Sequence, residues 1–459
     1  MAAASAQSAR TLGLTHVTLF MVTAGSTLQW TAVAAATGPS SLLVWLLGGV
    51  CFFLPLSVCV VFLASRHPDE GGLDAWSSRA FGPFVGFMAG WTYWSGTLAY
   101  LPAVLYFAAG SAHLAAADGG AGGATPTWFI GFSLTALTIA VALNLRGLAT
   151  AKWLNSAGAV ARWLGTLLLV LLALGSWWRF GSATPIDRHT IVPEFRLADV
   201  IFWTTIAFCW TGPEAAAFMR GEIRDPRRTV PRALALAAPM IAAIYMVGTA
   251  SILLSIPAEQ ASGVYGVMAA VRSAASRLGL AWLIPLGAVL IVLDRVASAC
   301  LWIGALARIP LTGAARAAPA PESRAAGIWI QAVLVALLLV LGQSGTSVRG
   351  AYNVLIEMMV VTSMLPYLPL FCAAIRLSAT SRGAGEVRIP GGRAAVIALA
   401  VLGLATTASS IVLAFLPPPD EPNPTLAVLK VAAVTAALLL GGALVYAIDS
   451  VRSRRAVPV

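Results

Sequence analysis

Few side chains in this chain have the type to do chemistry, and they lie far apart. Of 18 acidic residues among 459, Glu214, Asp294 and Glu357 sit deep in long apolar runs, as do Arg162 and Arg295. A charge in such a run costs roughly 2.5 kcal/mol or more, so each is a functional candidate by default. For Arg162 the bland alternative is snorkelling to an interface. The histidines, His16, His67, His113 and His189, have no ligand partner at metal spacing. No nucleophile stands beside a base, and no phosphate-cradling glycine loop is present. The chain therefore reads as a non-enzyme with no cofactor. Cys51, Cys59, Cys209, Cys300 and Cys372 lie in apolar runs without disulfide spacing and read as packing residues.

Glu214 stands at the centre of the most unusual stretch, Asp199 to Arg232. An apolar run is interrupted by Trp210-Thr211-Gly212-Pro213-Glu214, resumes as AAAFM and ends in an arginine-rich block. A lipid-facing helix does not tolerate such a break, because freed N–H and C=O groups find no water. Broken helices persist where the backbone lines a binding cavity. Pro213 suits the first position of a following half-helix, and Glu214 then falls in its first turn. A matching break is expected where VTAGSTLQW interrupts the first apolar run: Ala24, Gly25, Ser26 and Thr27. There Ser26 or Thr27 caps the second half-helix, whose N–H groups face a carboxylate. Small residues serving only close packing are the alternative. Together the two breaks offer N–H groups to a carboxylate and carbonyls to an ammonium, the needs of a zwitterionic amino acid.

The elements that position these residues follow from composition. Only 10% of residues are charged and 59% are hydrophobic, too few charges for an ordinary water-facing surface. Twelve candidate spans of about 20 residues lie near 13–36, 41–64, 84–112, 126–144, 153–175, 199–219, 233–256, 281–307, 326–342, 350–375, 394–416 and 424–447. The net charge of +11 is topological and does not mark a nucleic-acid partner: arginines crowd alternate loops, which the positive-inside rule places in the cytoplasm with both termini. Arginine over lysine, with abundant Ala and Gly, suggests a bacterial source and hence the cytoplasmic membrane.

Several local expectations follow. Pro55 kinks span two. Gly71-Gly72 and Gly82-Pro83 bracket a short amphipathic piece. Trp94 and Tyr100 are the aromatics of span three deep enough to line a cavity. Adjacent helix residues point about 100° apart, so Asp294 and Arg295 are not expected to pair, and Asp294 is matched instead with Arg162. Asp294 and Glu357 are further candidates for holding a second ammonium. Spans eleven and twelve look peripheral, with Lys430 at the rim.

Three segments in order, EGGLDAWSSRAFGPFVGF, NLRGLATAKWLNSAGAVARWLG and AFCWTGPEAAAFMRGEIRDPRRTVPRAL, resemble the amino acid/polyamine/organocation permeases. The resemblance implies an all-α polytopic fold with a five-plus-five inverted repeat and broken spans one and six. The divisions expected are a tail at 1–12, repeats at 13–176 and 177–376, two added spans at 377–448 and a basic tail at 449–459. It also implies a secondary carrier of amino acids or amines, coupled to protons or working by exchange. Ala24 to Thr27 and Phe208 to Gly212 match the solute-holding segments, Trp210 the aromatic that covers the solute, and Glu214 the gating glutamate. Arg162 matches a cation that replaces sodium in proton-coupled members. Gly25-Ser26-Thr27 in place of G-x-G is closer to the glutamate/γ-aminobutyrate exchangers. A polyamine carrier and a solute-binding receptor that moves nothing are the other readings.

Overall fold

A computed structural model describes residues 12–67, 72–116, 125–146, 148–193, 197–212, 214, 223–261, 263–307, 321–379, 387, 389–417 and 423–455. The regular elements of these residues are helices, and among them extended pairing is limited to an isolated bridge of Leu12 with Ile223. Ten helices are long and apolar enough to cross a membrane. They correspond to spans two to five and seven to twelve. Spans one and six are missing from that set because each is interrupted: span one runs as Leu14–Gly25 and Leu28–Ala35, and span six as Leu197–Cys209 before its break. The expected inner half-helix after Pro213 lies outside the described residues, as do the arginine-bearing residues 220 and 308–320.

Span two shows how a proline is accommodated. Pro55 has no N–H to offer the carbonyl four residues earlier. The helix passes through a π-helical turn, Gly49–Phe53, and the Cys51 carbonyl accepts instead from the Thr406 hydroxyl of span eleven at 3.0 Å. The loop piece is a helix, Leu73–Phe81, bounded by Gly72 and Gly82 at φ 97° and 93°, backbone angles that a side chain opposes. Span ten is divided at Pro366 into Val348–Met364 and Tyr367–Leu377.

Span three, Pro83–Ala116, is the centre of the bundle, with 83% of its apolar window buried, against 28% and 22% for spans eleven and twelve. The last two are therefore peripheral. Lys430, only 5% exposed, donates to the Gly342 carbonyl at 3.0 Å and to that of Ser344. Those carbonyls are left over at the end of span nine, where a cation is favoured.

Candidate functional site

The break in span one divides its work between two hydroxyls. Ser26 and Thr27 are extended, with φ of −135° and −152°. Ser26 Oγ donates back to the Val22 carbonyl at 2.5 Å, whereas Thr27 Oγ1 accepts the Gln29 N–H at 3.2 Å. Thr27 is thus the cap, closing the start of Leu28–Ala35.

Span six unwinds against it. Its helix ends at Cys209, and Gly212 adopts φ +112°. A β-carbon on Gly212 would lie 2.9 Å from the Ala24 carbonyl oxygen, so the two breaks touch and glycine is required there. The Tyr245 hydroxyl of span seven reaches both, 2.8 Å from the Gly25 carbonyl and 3.2 Å from that of Cys209. Its ring stacks on Trp45 with centroids 4.1 Å apart and planes within 2°, fixing the hydroxyl in place.

A cavity of about 600 Å³, counting the part that opens outward, lies beside this contact. Its wall takes Ala24, Thr27 and Trp30 from span one, Phe208, Cys209, Thr211, Gly212 and Glu214 from span six, and Tyr93, Thr97 and Tyr100 from span three. Tyr245, Trp302, Ser363 and Tyr367 complete it. Trp30 meets Phe208 edge-on with centroids 5.4 Å apart. The Glu214 carboxylate, 5% exposed, accepts the Gly212 N–H at 2.7 Å and the Tyr367 O–H at 2.6 Å. These two donors satisfy a carboxylate that burial would otherwise penalise.

Behind the span-one wall lies a charge cluster. Arg162 pairs with Asp294 through Nε and Oδ1 at 2.9 Å, as expected. Its Nη1 donates to the Ser26 carbonyl at 3.3 Å and Nη2 to Ser298 Oγ at 3.1 Å. Against expectation, Asp294 also pairs with its neighbour: Arg295 Nε lies 3.1 Å from Asp294 Oδ2, which Nη2 also contacts. The guanidinium curls back on its flexible stem, a freedom that Cβ directions alone do not reveal. Arg295 Nη1 continues to Thr27 Oγ1 at 3.2 Å and the Tyr100 hydroxyl at 3.5 Å.

Of the residues singled out from sequence, Ala24, Thr27, Phe208, Thr211, Gly212, Tyr100 and Glu214 stand on the cavity wall. Gly25 and Ser26 flank it, their carbonyls turned to Tyr245 and Arg162. Trp210 does not line it. Its Nε1 donates to the Trp45 carbonyl at 3.1 Å, and its indole fills the slot that Gly48 leaves open, where a β-carbon would come within 3.0 Å. Trp94 is likewise directed away, packing on Trp91 with centroids 5.3 Å apart. Glu357 is buried, at 8% exposure, but off the wall, and Asp294 is one layer behind it. Sequence reading missed Trp30, Tyr93, Thr97, Tyr245, Trp302, Ser363 and Tyr367, and took Cys209, which also lines the cavity, for a packing residue. The spacing of Tyr93, Thr97 and Tyr100 was a usable signal, since positions i, i+4 and i+7 share one helix face.

Comparison with known proteins agrees with this arrangement. The chain is 26% identical to an uncharacterized transporter of Legionella pneumophila, over 90% of this chain and 91% of that one. It is 23% identical to a glutamate/gamma-aminobutyrate antiporter of Lactococcus lactis, covering 81% and 77%. It is 26% identical to a probable agmatine/putrescine antiporter of the same species, covering 59% and 57%. The fold matches that of MhsT, solved in complex with L-phenylalanine, with a TM-score of 0.57 at 15% identity over 94% of this chain and 97% of that one. The sequence profile of the amino acid permease family matches residues 11–439, and this chain belongs to that family.

Proposed function

We propose that this permease is a secondary active transporter that moves an amino acid or related amine across the cytoplasmic membrane by alternating access. The observation that carries this reading is the contact of the two interrupted spans, tied by Tyr245, beside a cavity that both of them line. Spans one to five and six to ten form the two repeats that rock against each other, and both termini face the cytoplasm. The proton is the coupling ion. Arg162 occupies the space between the Ser26 carbonyl and Ser298 with its own charge, and Glu214 takes up and releases the proton at the cavity wall.

The test is counterflow in proteoliposomes with a broad panel of labelled amino acids and amines, under imposed pH or sodium gradients. Accumulation driven by the pH gradient is the expected result. Dependence on sodium with indifference to pH overturns the coupling assignment, and saturable binding without flux makes the protein a receptor instead. The likeness to a probable agmatine/putrescine antiporter supports a second reading, a polyamine carrier, and competition by putrescine against leucine separates the two.

A further inference from the structure

Span eleven lies at the edge of the bundle, yet one of its faces is tied to the part of span two that touches the break in span six. The tie begins at Pro55. Without an N–H on that residue, the Cys51 carbonyl has no α-helical donor, and within a membrane it has no water. The Thr406 hydroxyl of span eleven donates to it at 3.0 Å. One turn earlier on the same face, Gly403 leaves room for the Phe371 ring of span ten, which a β-carbon there would approach to 2.4 Å. That ring meets Phe52 edge-on with centroids 6.2 Å apart, so spans two, ten and eleven close on one another at this level.

The π-helical turn Gly49–Phe53 decides where span two aims its side chains. In a regular α-helix, Phe53 would lie about 80° around the axis from Trp45, eight positions earlier. The turn absorbs one extra residue, so by its end Phe53 takes the place of a seventh position, about 20° from Trp45. Both therefore face span six. Trp210 donates to the Trp45 carbonyl at 3.1 Å, lies against Gly48 and Gly49, and packs on the Phe53 ring with centroids 5.1 Å apart. Trp45 also stacks on Tyr245, whose hydroxyl joins the breaks. Phe52 meets Tyr367, the donor to Glu214, with centroids 5.5 Å apart. Reversion of the turn to the α register would carry Phe53 about 100° away from Trp210.

We propose that Thr406 is a positioning residue for transport: from span eleven it holds the π-turn of span two in the register that seats Trp210 against the break of span six and Phe52 against Tyr367. It acts through span two and not on the solute. The hold is also releasable. A hydroxyl has one hydrogen to give, and the Leu402 carbonyl of its own helix stands 2.9 Å from Thr406 Oγ1 as a second acceptor. Span two can therefore part from span eleven without stranding the hydroxyl. The proposal rests on the transport reading above and goes beyond it, because it gives a span at the edge of the bundle a part in shaping the cavity.

The experiment measures KM and Vmax for counterflow of whichever labelled amino acid the full-length protein moves in proteoliposomes, together with the melting temperature in detergent. Thr406→Val is expected to raise KM severalfold, with a smaller change in Vmax, and to lower the melting temperature. Thr406→Ser, which keeps the hydroxyl, stays near the unaltered protein. Thr135→Val, whose hydroxyl donates to the Gly131 carbonyl of its own helix at 2.8 Å, changes neither quantity. Pro55→Ala separates positioning from mere support, because it supplies the missing N–H to the Cys51 carbonyl and permits the α register. In that background Thr406→Val no longer lowers the melting temperature, but KM stays raised. Recovery of KM along with the melting temperature would reduce Thr406 to a partner for a stray carbonyl and overturn the proposal. An unmoved KM in Thr406→Val overturns it too, while the transport reading stands. Should Thr406→Val not fold, Pro55→Ala alone carries the test: a raised KM in a protein as stable as the parent supports the proposal, and an unmoved KM overturns it. Absence of flux for every labelled compound in the unaltered protein overturns the transport reading and this proposal with it.

Discussion

The Tyr245 hydroxyl lies 2.8 Å from the Gly25 carbonyl oxygen, joining span seven to the last residue of the first half of span one. The same oxygen is 3.2 Å from the Cys209 carbonyl, so one side chain ties both interrupted helices at their frayed ends. Carbonyls released by helix termination need partners when buried. Tyr245→Phe removes the partner and keeps the ring stacked on Trp45. Leaving such acceptors unsatisfied costs about 1–3 kcal/mol. We expect a lower melting temperature in detergent and reduced counterflow, and a variant indistinguishable from the parent would show that the tie is idle.

Gly212 stands where the two breaks meet. At φ +112°, with the Ala24 carbonyl 2.9 Å from where a β-carbon would sit, Gly212→Ala is opposed by both backbone and space. Strain of this kind costs about 1–3 kcal/mol. Gly131→Ala, in span four with nothing within 4 Å of the added carbon, serves as the control. Thermal unfolding of the two variants should separate them clearly, and flux should fall only in the first.

The pairing of Asp294 with both arginines makes a non-additive prediction. Asp294→Asn removes the carboxylate that Arg162 and Arg295 share and leaves two buried cations facing each other, a loss of roughly 3–5 kcal/mol. Adding Arg162→Gln to it removes one of those cations. The double variant should therefore be more stable than Asp294→Asn alone, a coupling readable in a double-mutant cycle. Additive losses would contradict the shared-carboxylate geometry.

Glu214→Gln keeps the size of the side chain facing Gly212 and Tyr367 and removes its capacity to ionise. Under the proton-coupled reading, the flux of the unaltered protein varies with pH, whereas that of Glu214→Gln is flat and does not concentrate solute against a pH gradient. Exchange of solute for solute, which needs no net proton movement, should survive. A pH profile shared by both proteins would assign the coupling to another group.

Much of the fold was legible because its signals are local. Long apolar runs marked the spans, and Gly25-Ser26 and Gly212-Pro213 marked the breaks, since small and helix-breaking residues act on the backbone where they stand. The cavity wall was less legible. Span three is apolar and buried on nearly every side, so the spacing of Tyr93, Thr97 and Tyr100 marked one helix face without showing that this face, and not the one bearing Trp94, lines the cavity. Trp210 illustrates a second limit. Its direction is set by the slot that Gly48 and Gly49 open in span two, a contact more than 150 residues away in sequence and invisible to helical periodicity. The Asp294–Arg295 pair shows a third, because the reach of a long side chain overrides the 100° between neighbouring positions.

The central claim is that the solute rests in the cavity between the two breaks. Its most direct test is counterflow of a labelled amino acid by the unaltered protein and by Ala24→Phe, which places a ring into that cavity, with Gly131→Phe as an open-surface control. The account predicts accumulation by the unaltered protein and by Gly131→Phe, and its loss in an Ala24→Phe protein that still folds. Undiminished accumulation by folded Ala24→Phe would place the solute elsewhere and contradict the account.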